Sequence, residues 1–161
     1  MTAAPDADLF RGLRGGGNFG VVTSFEYRLH PVGPTVLAGV ILYPAAKARE
    51  VLAAYREWAA TASDELTTIV ILTTAPPAPF LPAAVHGQPV VMIGVCYAGA
   101  VGDGQRAVAP LRRLGSPLAD TVGPTPYVAH QALLDPGVPH GLGYSWKSEY
   151  VAALTDPLIE T

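Results

Sequence analysis

The sequence predicts an α+β fold in which helices pack on one face of a largely antiparallel sheet. Three observations lead to this prediction. Several runs are rich in β-branched and aromatic residues and alternate with period two, which is typical of strands. Other runs place apolar residues at helical spacing. From residue 34 onward the predicted order is strand, helix, strand, strand and helix, followed by a loop and a last strand, which is typical of an α+β domain.

Five strands are predicted along the chain. In the first, VVTSFEYRL at 21–29, residues with apolar and polar side chains alternate. The runs VLAGVILY at 36–43 and LTTIVILTT at 66–74 are rich in β-branched residues. QPVVMIGVCYAG at 88–99 is a longer apolar run, and GYSWKSEYV at 143–151 alternates weakly. Glycine and proline clusters separate these runs and predict irregular connections between them.

Two helices are predicted in the first part of the chain. The run DADLFRGLR has apolar residues at helical spacing, with Asp8 as a cap, and predicts a short helix that the glycines after it end. Pro44 suits the first position of the second helix. The segment that follows, AAKAREVLAAYREWAATA, has Val51, Tyr55 and Trp58 on one stripe and charged residues around it, so it predicts an amphipathic helix.

Two more helices are predicted in the second part. GQRAVAPLRRL at 104–114 has an apolar side, and we expect Asp103 to cap it and Gly115 to end it. Pro110 lies inside this helix, and we expect it to introduce a kink. A short helix is predicted from Tyr127 to Leu134.

The composition limits the classes of function. The chain has 161 residues, enough for roughly one domain, and carries a net charge of −3 with 14% charged residues. Because there is no basic cluster, nucleic acid and anionic membranes are poor partners. No apolar run reaches the about 20 residues of a membrane span. The single cysteine, Cys96, lies in an apolar run and is expected to be buried, as in a cytoplasmic protein.

Metal and hydrolase chemistry find no support in the sequence. The four histidines, His30, His86, His130 and His140, are scattered at turns, and no pair has the spacing of metal ligands. Cys96 has no second cysteine to complete a metal-binding pair. No G-x-S-x-G elbow is present. The sequence therefore predicts no metal site and no catalytic residue.

The stretch RGGGNFG at 14–20 is the main candidate for a binding turn. Gly15, Gly17 and Gly20 have the G-x-G-x-x-G spacing of a dinucleotide-binding turn. That turn requires a strand before it and a helix after it, and here the predicted order is the reverse. Two interpretations stay open. The glycines end a helix and turn the chain, or they let a ligand lie close to bare backbone.

Both ends of the sequence are expected to be cut from a longer chain. Thr155 or Asp156, followed by Pro157, is a signal for the start of a helix. Only about one turn of chain follows that signal. At the other end, the strand predicted at 21–29 precedes everything with which it can pair, except the run at 36–43.

The run DADLFRGLRGGGNFGVVTSFEYRLHPVGP at 6–34 resembles the end of the flavin-binding domain of berberine-bridge-enzyme-like oxidases. These are PCMH-type flavoproteins, FAD-linked oxidoreductases of the vanillyl-alcohol-oxidase type. The rest of the chain, including VLAGVILYP, APPAPFLP and SWKSEY, is similar to the first half of that family's substrate domain. The resemblance implies that residues 1–34 end an FAD-binding domain and that residues 35–161 begin an antiparallel-sheet substrate domain.

The resemblance also implies a cofactor and the residues that contact it. In this family the glycine turn and the strand after it lie against FAD. The residues of this chain that match those positions are Gly17, Asn18, Gly20, Val21, Val22 and Thr23. Backbone N–H groups in such a turn can bind oxygen atoms, because no Cβ blocks the approach. The histidine segment that attaches FAD and the catalytic tyrosine of the family have no match here, and an arginine, Arg11, stands where family members usually carry an aromatic residue.

The polar aromatic run at 144–150 is the candidate for substrate binding. Tyr144, Trp146 and Lys147 can shape a pocket in which the rings stack on a sugar or another flat substrate. In the resembled family this strand belongs to the substrate-domain sheet near the flavin. The alternative is an edge strand whose Lys147 is solvated.

Two functions are therefore expected. The first is part of an FAD-dependent oxidase of alcohol, sugar or alkaloid-type small molecules, in which a hydride passes to the flavin and the electrons then pass to oxygen. The second is a free-standing, catalytically inert α+β domain that self-associates through a sheet edge or an uncovered apolar face.

Overall fold

The computed structural model describes residues 7–15, 19–79, 81–133, 135 and 139–160. The chain divides into two compact units, Met1–Pro31 and Val32–Thr161. The predicted assignment of residues 1–34 to a flavin-binding domain and 35–161 to a substrate domain concerns function, and it stays a prediction.

The first unit begins with the short helix that the sequence predicts, α1 (Ala7–Leu13). Asp8 lies in its first turn and Arg11 in its last, which suits the helix dipole. The guanidinium of Arg14 lies 5.8 Å from the centre of the Phe10 ring. None of the residues of α1 is buried, so little packing holds this helix.

The strand predicted at 21–29 is wrong. The segment is not helical, but it has no strand assignment and its residues are exposed. It still alternates, since the rings of Phe25 and Tyr27 stack on one side with centroids 5.3 Å apart. A strand needs a hydrogen-bonded neighbour. The run at 36–43, with which we expected it to pair, has other strands on both of its sides.

The second unit contains a five-stranded antiparallel sheet. Its strands are β1 (Thr35–Pro44), β2 (Leu66–Thr74), β3 (Pro89–Tyr97), β4 (Ala119–Asp120) and β5 (Gly123–Pro126). The spatial order is β2-β3-β1-β4, and β5 pairs with β1 beyond β4. The first three strands confirm the predictions for 36–43, 66–74 and 88–99. With the helices between them, this order is the split β-α-β arrangement known as ferredoxin-like.

Four helices lie in the second unit within the described residues. They are α2 (Ala48–Ala59), α3 (Val101–Val108), α4 (Tyr127–Gln131) and α5 (Asp156–Ile159). Short 3-10 turns occupy Ala45–Lys47, Ala83–Val85 and Leu111–Arg113. The amphipathic α2 and the short α4 are confirmed, although the predicted end of α4 at residue 134 lies outside the described residues.

The predicted helix at 104–114 differs from α3 at both ends. Asp103 is not the cap, because Ala100 precedes the first turn and its carbonyl accepts hydrogen bonds from Asp103 and Gly104. Asp103 instead pairs with Arg106 one turn later. Pro110 ends the α-helix rather than kinking it, since its ring nitrogen has no hydrogen to donate. The chain continues as the 3-10 turn at Leu111–Arg113.

Two apolar clusters lie on the two faces of the sheet. The larger one is formed where α2 and α3 cover β1 and β3, and it includes Tyr43, Val51 and Leu111. The smaller one lies on the opposite face, which we call the open face, where the loop after β2 covers Val40 and Leu42. The predicted α+β class, with helices on one face of an antiparallel sheet, is thus confirmed.

The short strand β5 lies where the glycine and proline cluster predicts irregular chain, and β4 is a second short strand just before it. They are interrupted at Thr121, where the amide of Val40 bonds to the Thr121 hydroxyl at 3.0 Å instead of to a main-chain oxygen. A Cβ on Gly39 would lie 2.6 Å from the Thr121 carbonyl oxygen, and Gly39 has a φ of +150°. Only glycine, which has no Cβ, fits where the main chain of β1 lies this close to the main chain of Thr121. The guanidinium of Arg112 donates hydrogen bonds to the Asp120 carboxylate at the end of β4 and to the Val122 carbonyl just before β5.

The strand predicted at 143–151 is also wrong. Residues 143–151 are exposed and have no strand assignment. In the part of the chain that the structure describes, no strand pairs with them.

The helix start predicted at Thr155 or Asp156 is confirmed by α5, which begins at Asp156. Within the described ranges, no helix has the length and apolarity needed to cross a bilayer.

Candidate functional site

A groove on the open face of the sheet has a volume of about 280 Å³. Its floor comes from β2 and β3, and α4 with the residues after it forms one wall. The lining residues are Gly39, Thr67, Thr68, Ile69, Gly94, Val95, Cys96, His130, Gln131 and Leu133.

The groove exists because β3 carries small residues on this face. Side chains alternate between faces along a strand, so Val90, Met92, Gly94 and Cys96 share the open face. The first two pack under the loop after β2, whereas the last two leave space above the sheet. Thr67 pairs with Cys96 and Ile69 with Gly94, which places the β2 residues at the side of the groove.

Among the residues that the structure describes, no carboxylate, lysine or arginine lines the groove. Burial raises the pKa of the Cys96 thiol above its ordinary value, so the neutral thiol is favoured and Cys96 is a poor nucleophile. The half-buried side chain of His130 makes no hydrogen bond to another described residue. The groove therefore offers an apolar floor with neutral polar groups at its wall, which suits an uncharged ligand.

The described part of the glycine turn is open. Gly17 and Asn18 lie outside the described residues. A Cβ added at Gly15 or Gly20 would have no atom within 4 Å. Val21, Val22 and Thr23 follow in exposed, non-helical chain, and Val21 is 91% exposed. No helix starts at Val21, and contact between this turn and a ligand stays a prediction.

The three residues predicted to bind substrate lie together in exposed chain. The hydroxyl of Tyr144 donates to the Pro139 carbonyl at 2.8 Å. Trp146 is 83% exposed, and Lys147 is exposed as well. None of the three lines the open-face groove. Their role in substrate binding stays a prediction.

Metal ligands do not cluster in the described ranges. No three His, Cys, Asp or Glu side chains there come together in a way that could hold a metal ion.

The groove is not among the sites predicted from the sequence, although the sequence contains a signal for it. Gly94 and Cys96 follow Met92 at period two in an otherwise bulky strand, and two small residues on one face predict a notch in a sheet.

Comparison with known proteins identifies one relative of this chain. It is an FAD-linked oxidoreductase of Dictyostelium discoideum, which is 30% identical over 164 residues, covering 99% of this chain and 33% of the relative. The chain thus spans about a third of the length of the curated relative that it matches. No family model matches the chain. Over nearly its whole length, the chain is similar to one part of an FAD-linked oxidoreductase.

Proposed function

We propose that this chain is part of an FAD-dependent oxidoreductase of the berberine-bridge-like type. The observation that carries the proposal is the similarity of almost the whole chain to an FAD-linked oxidoreductase. The resemblance of residues 6–34 to the end of a PCMH-type domain supports the finer assignment. In this proposal residues 1–34 end the flavin-binding domain and residues 35–161 begin the substrate domain.

The glycine turn fits a large flat cofactor. The space around Gly15 and Gly20 is open, so backbone N–H groups can approach oxygen atoms of FAD without a side chain in between. Val21, Val22 and Thr23 are exposed beside this turn and supply small side chains for contact. These residues would hold and orient the cofactor.

The groove on the open face fits the substrate of such an enzyme. Its floor excludes water from one side of a bound molecule, and the polar groups of Thr67, His130 and Gln131 can orient a hydroxyl group. Because the described lining residues include no carboxylate, lysine or arginine, an uncharged alcohol or sugar fits better than a phosphorylated molecule. FAD, when bound, would accept a hydride from the substrate and pass the electrons to oxygen. We assign no catalytic residue to this chain.

A chimera tests the proposal. The matching third of the Dictyostelium relative is replaced by this chain, and the purified chimera is analysed for FAD by its absorbance. We expect FAD to co-elute with the folded chimera. A chimera with Gly20→Val keeps the fold of the second unit but should hold less FAD, because a side chain then fills the open turn.

The alternative function, an inert self-associating domain, predicts a different result. The chimera would then fold, by its circular dichroism and thermal unfolding, without retaining FAD. Such a result would contradict the flavoprotein assignment. If the chimera does not fold, FAD binding is measured by titrating the purified chain together with the remaining two thirds of the relative, and the proposal requires flavin binding to the mixture that neither part shows alone.

A further inference from the structure

The open-face groove ends at a contact between Ile69 of β2 and Gly94 of β3. The two residues are paired in the register of the strands, and both line the groove. Toward the loop after β2, the next residue on this face of β3 is Met92, which packs with the cluster beneath that loop. In the other direction, the next pair is Thr67 and Cys96, which also lines the groove. The Ile69–Gly94 pair is therefore the last row of the groove floor before the covered part of the sheet.

The side chain of Ile69 lies over Gly94. A Cβ added at Gly94 would lie 2.8 Å from the Ile69 Cγ2 atom, which is too close for two carbon atoms that are not bonded to each other. The methyl group of Ile69 therefore fills the space that a side chain at position 94 would occupy. Since a β-branched side chain is restricted at χ1, this methyl group is held in place. The pairing of β2 with β3 sets the contact, so it is a property of this stretch of chain itself.

The Ile69 methyl group shortens the open floor of the groove. Successive side chains on one face of a strand are about 7 Å apart, so filling the row at Gly94 leaves the row at Cys96 as the open floor. The groove volume of about 280 Å³ is at the lower end of the range for ligand pockets. A single six-membered ring fits over one such row, whereas two fused rings extend into the row that Ile69 fills.

We propose that Ile69 is a specificity-determining residue of the groove and limits its ligand to an uncharged alcohol with one ring at this end. The choice of an alcohol rests on the proposed function, within which this inference names the class of substrate. The ring lies on the floor beside Cys96, and the hydroxyl group lies at the wall, where His130 and Gln131 supply polar groups. Ile69 acts by excluding volume at the end of the groove.

Titration of the purified 161-residue chain with two neutral alcohols tests the inference in the absence of FAD. The one-ring probe is benzyl alcohol, and the two-ring probe is naphthalenemethanol. Binding is measured from the NMR chemical shifts of the amides of Thr67, Gly94 and Cys96, which line the groove. We expect the unmodified chain to bind the one-ring alcohol more tightly than the two-ring alcohol.

Variants at the contact should change the ratio of the two affinities. Ile69→Ala should shift this ratio toward the two-ring alcohol by about tenfold or more, because it uncovers Gly94. Ile69→Val is the matched control, since valine keeps a methyl group over Gly94 and should keep the preference for one ring. Adding Gly94→Ala to Ile69→Ala should restore the preference, because the new Cβ refills the uncovered space. Ile71→Ala shortens a side chain on the same face outside the groove and should leave the ratio unchanged.

Different results would overturn the role of Ile69 and the flavoprotein assignment. Equal ratios in Ile69→Ala and Ile69→Val, or no shift of the groove amides with either alcohol, would overturn the role of Ile69 even where the chimera retains FAD. A chimera that folds without FAD contradicts the flavoprotein assignment, and the ratios measured on the chain still decide the role of Ile69. Because Ile69 is 56% exposed, we expect its variants to keep the fold, which circular dichroism and thermal unfolding check.

Discussion

Gly39 is the residue on which the geometry of the sheet depends most closely. A Cβ at this position would lie 2.6 Å from the Thr121 carbonyl oxygen and 2.8 Å from the Cα of Val122. Both are main-chain atoms, so relief requires the strands to move apart. We expect Gly39→Ala to lower the free energy of unfolding by roughly 1–3 kcal/mol, measured by urea denaturation.

The matched control for this substitution is Gly102→Ala. Gly102 lies in α3, and the nearest atom to an added Cβ is the Arg106 Nη1 at 3.8 Å, so the methyl group fits. Alanine favours a helix over glycine by up to about 1 kcal/mol. We therefore expect this variant to be at least as stable as the unmodified chain. If both substitutions lowered the free energy of unfolding equally, the close main-chain contact at Gly39 would be contradicted.

Tyr43 gives the fold a dependence on high pH. Burial, and secondly the negative charge of Asp120, raises the pKa of Tyr43 above its ordinary value. The folded chain then holds the phenol proton more tightly than the unfolded chain does. This contribution to stability is fully present below the pKa of an unfolded tyrosine, about 10, and is lost as the pH rises through the raised pKa.

Tyr43→Phe tests that dependence. The hydroxyl of Tyr43 donates to the Leu111 carbonyl, which also accepts from the Leu114 amide, so the substitution removes one buried hydrogen bond. We expect a loss of roughly 1–2 kcal/mol in the free energy of unfolding at pH 8. Above pH of about 10, the stability of the variant should fall less steeply than that of the unmodified chain. Parallel stability curves over the alkaline range would show that Tyr43 is not the group responsible.

At the scale of elements, α5 depends on α2. A four-residue helix does not stand alone in water. Arg56 of α2 donates to the Asp156 carboxylate at 2.7 Å and to the Leu154 carbonyl at 3.1 Å. Arg49 pairs with Glu160 at 2.7 Å. Since the side chains of Arg49, Asp156 and Glu160 are exposed, we expect the attachment to weaken with salt.

Arg56→Gln should release α5. The measurement is amide hydrogen exchange at Ile159 and Glu160, whose N–H groups bond to Thr155 and Asp156. Exchange should speed up in this variant but not in Lys47→Gln, which removes an exposed ion pair with Glu50 elsewhere on the chain. Unchanged exchange in Arg56→Gln would show that α5 forms without this contact.

The same helix should respond to acid. The hydrogen bond from Arg56, and then its charge, lowers the pKa of Asp156. The attachment is therefore present above the pKa of an unfolded aspartate and is lost as the pH falls through the lowered pKa. After correction for the intrinsic exchange rate, the exchange rate at Ile159 should rise over that acid range in the unmodified chain. In Arg56→Gln, the corrected rate should not change with pH over the same range.

The sequence predicts a helix or strand correctly where the residues of that segment are sufficient to determine its structure. Long runs such as 36–43 and 66–74 are continuous in β-branched residues, and α2 has a clear apolar stripe, so their positions are confirmed. The segments at 21–29 and 143–151 alternate too, yet a strand also needs a neighbour, which local sequence does not supply. The sequence does not predict β5 because the segment contains prolines, which usually argue against a strand. An edge strand tolerates them, since only one of its sides needs main-chain donors.

The candidate sites divide in the same way. The openness of the glycine turn follows from local composition, and the structure shows it at Gly15 and Gly20. The groove depends on Gly94 and Cys96 lying beside Thr67 and Ile69, which requires the pairing of β2 with β3. His130 reaches the wall because α4 follows β5 along β1. Such long-range placement is not encoded in any single run of residues.

At the scale of the whole molecule, the similarity of the chain and the groove in its sheet belong together. The chain is similar over 99% of its length to a third of an FAD-linked oxidoreductase, and its second unit carries an uncharged groove on the open face of its sheet. In the proposed function, this groove receives the substrate that the flavin oxidises. Filling the groove should then block oxidation while leaving the flavin bound.

The most direct measurement is the rate at which substrate reduces the flavin in the chimera, using the alcohol, sugar or alkaloid-type compound that reduces it fastest. Thr67→Trp places a ring in the groove, and Thr73→Trp places the same ring on the same exposed face of β2 outside it. We predict that Thr67→Trp lowers the rate by about tenfold or more with unchanged flavin content, and that Thr73→Trp does not. Equal rates for the two variants would contradict the claim.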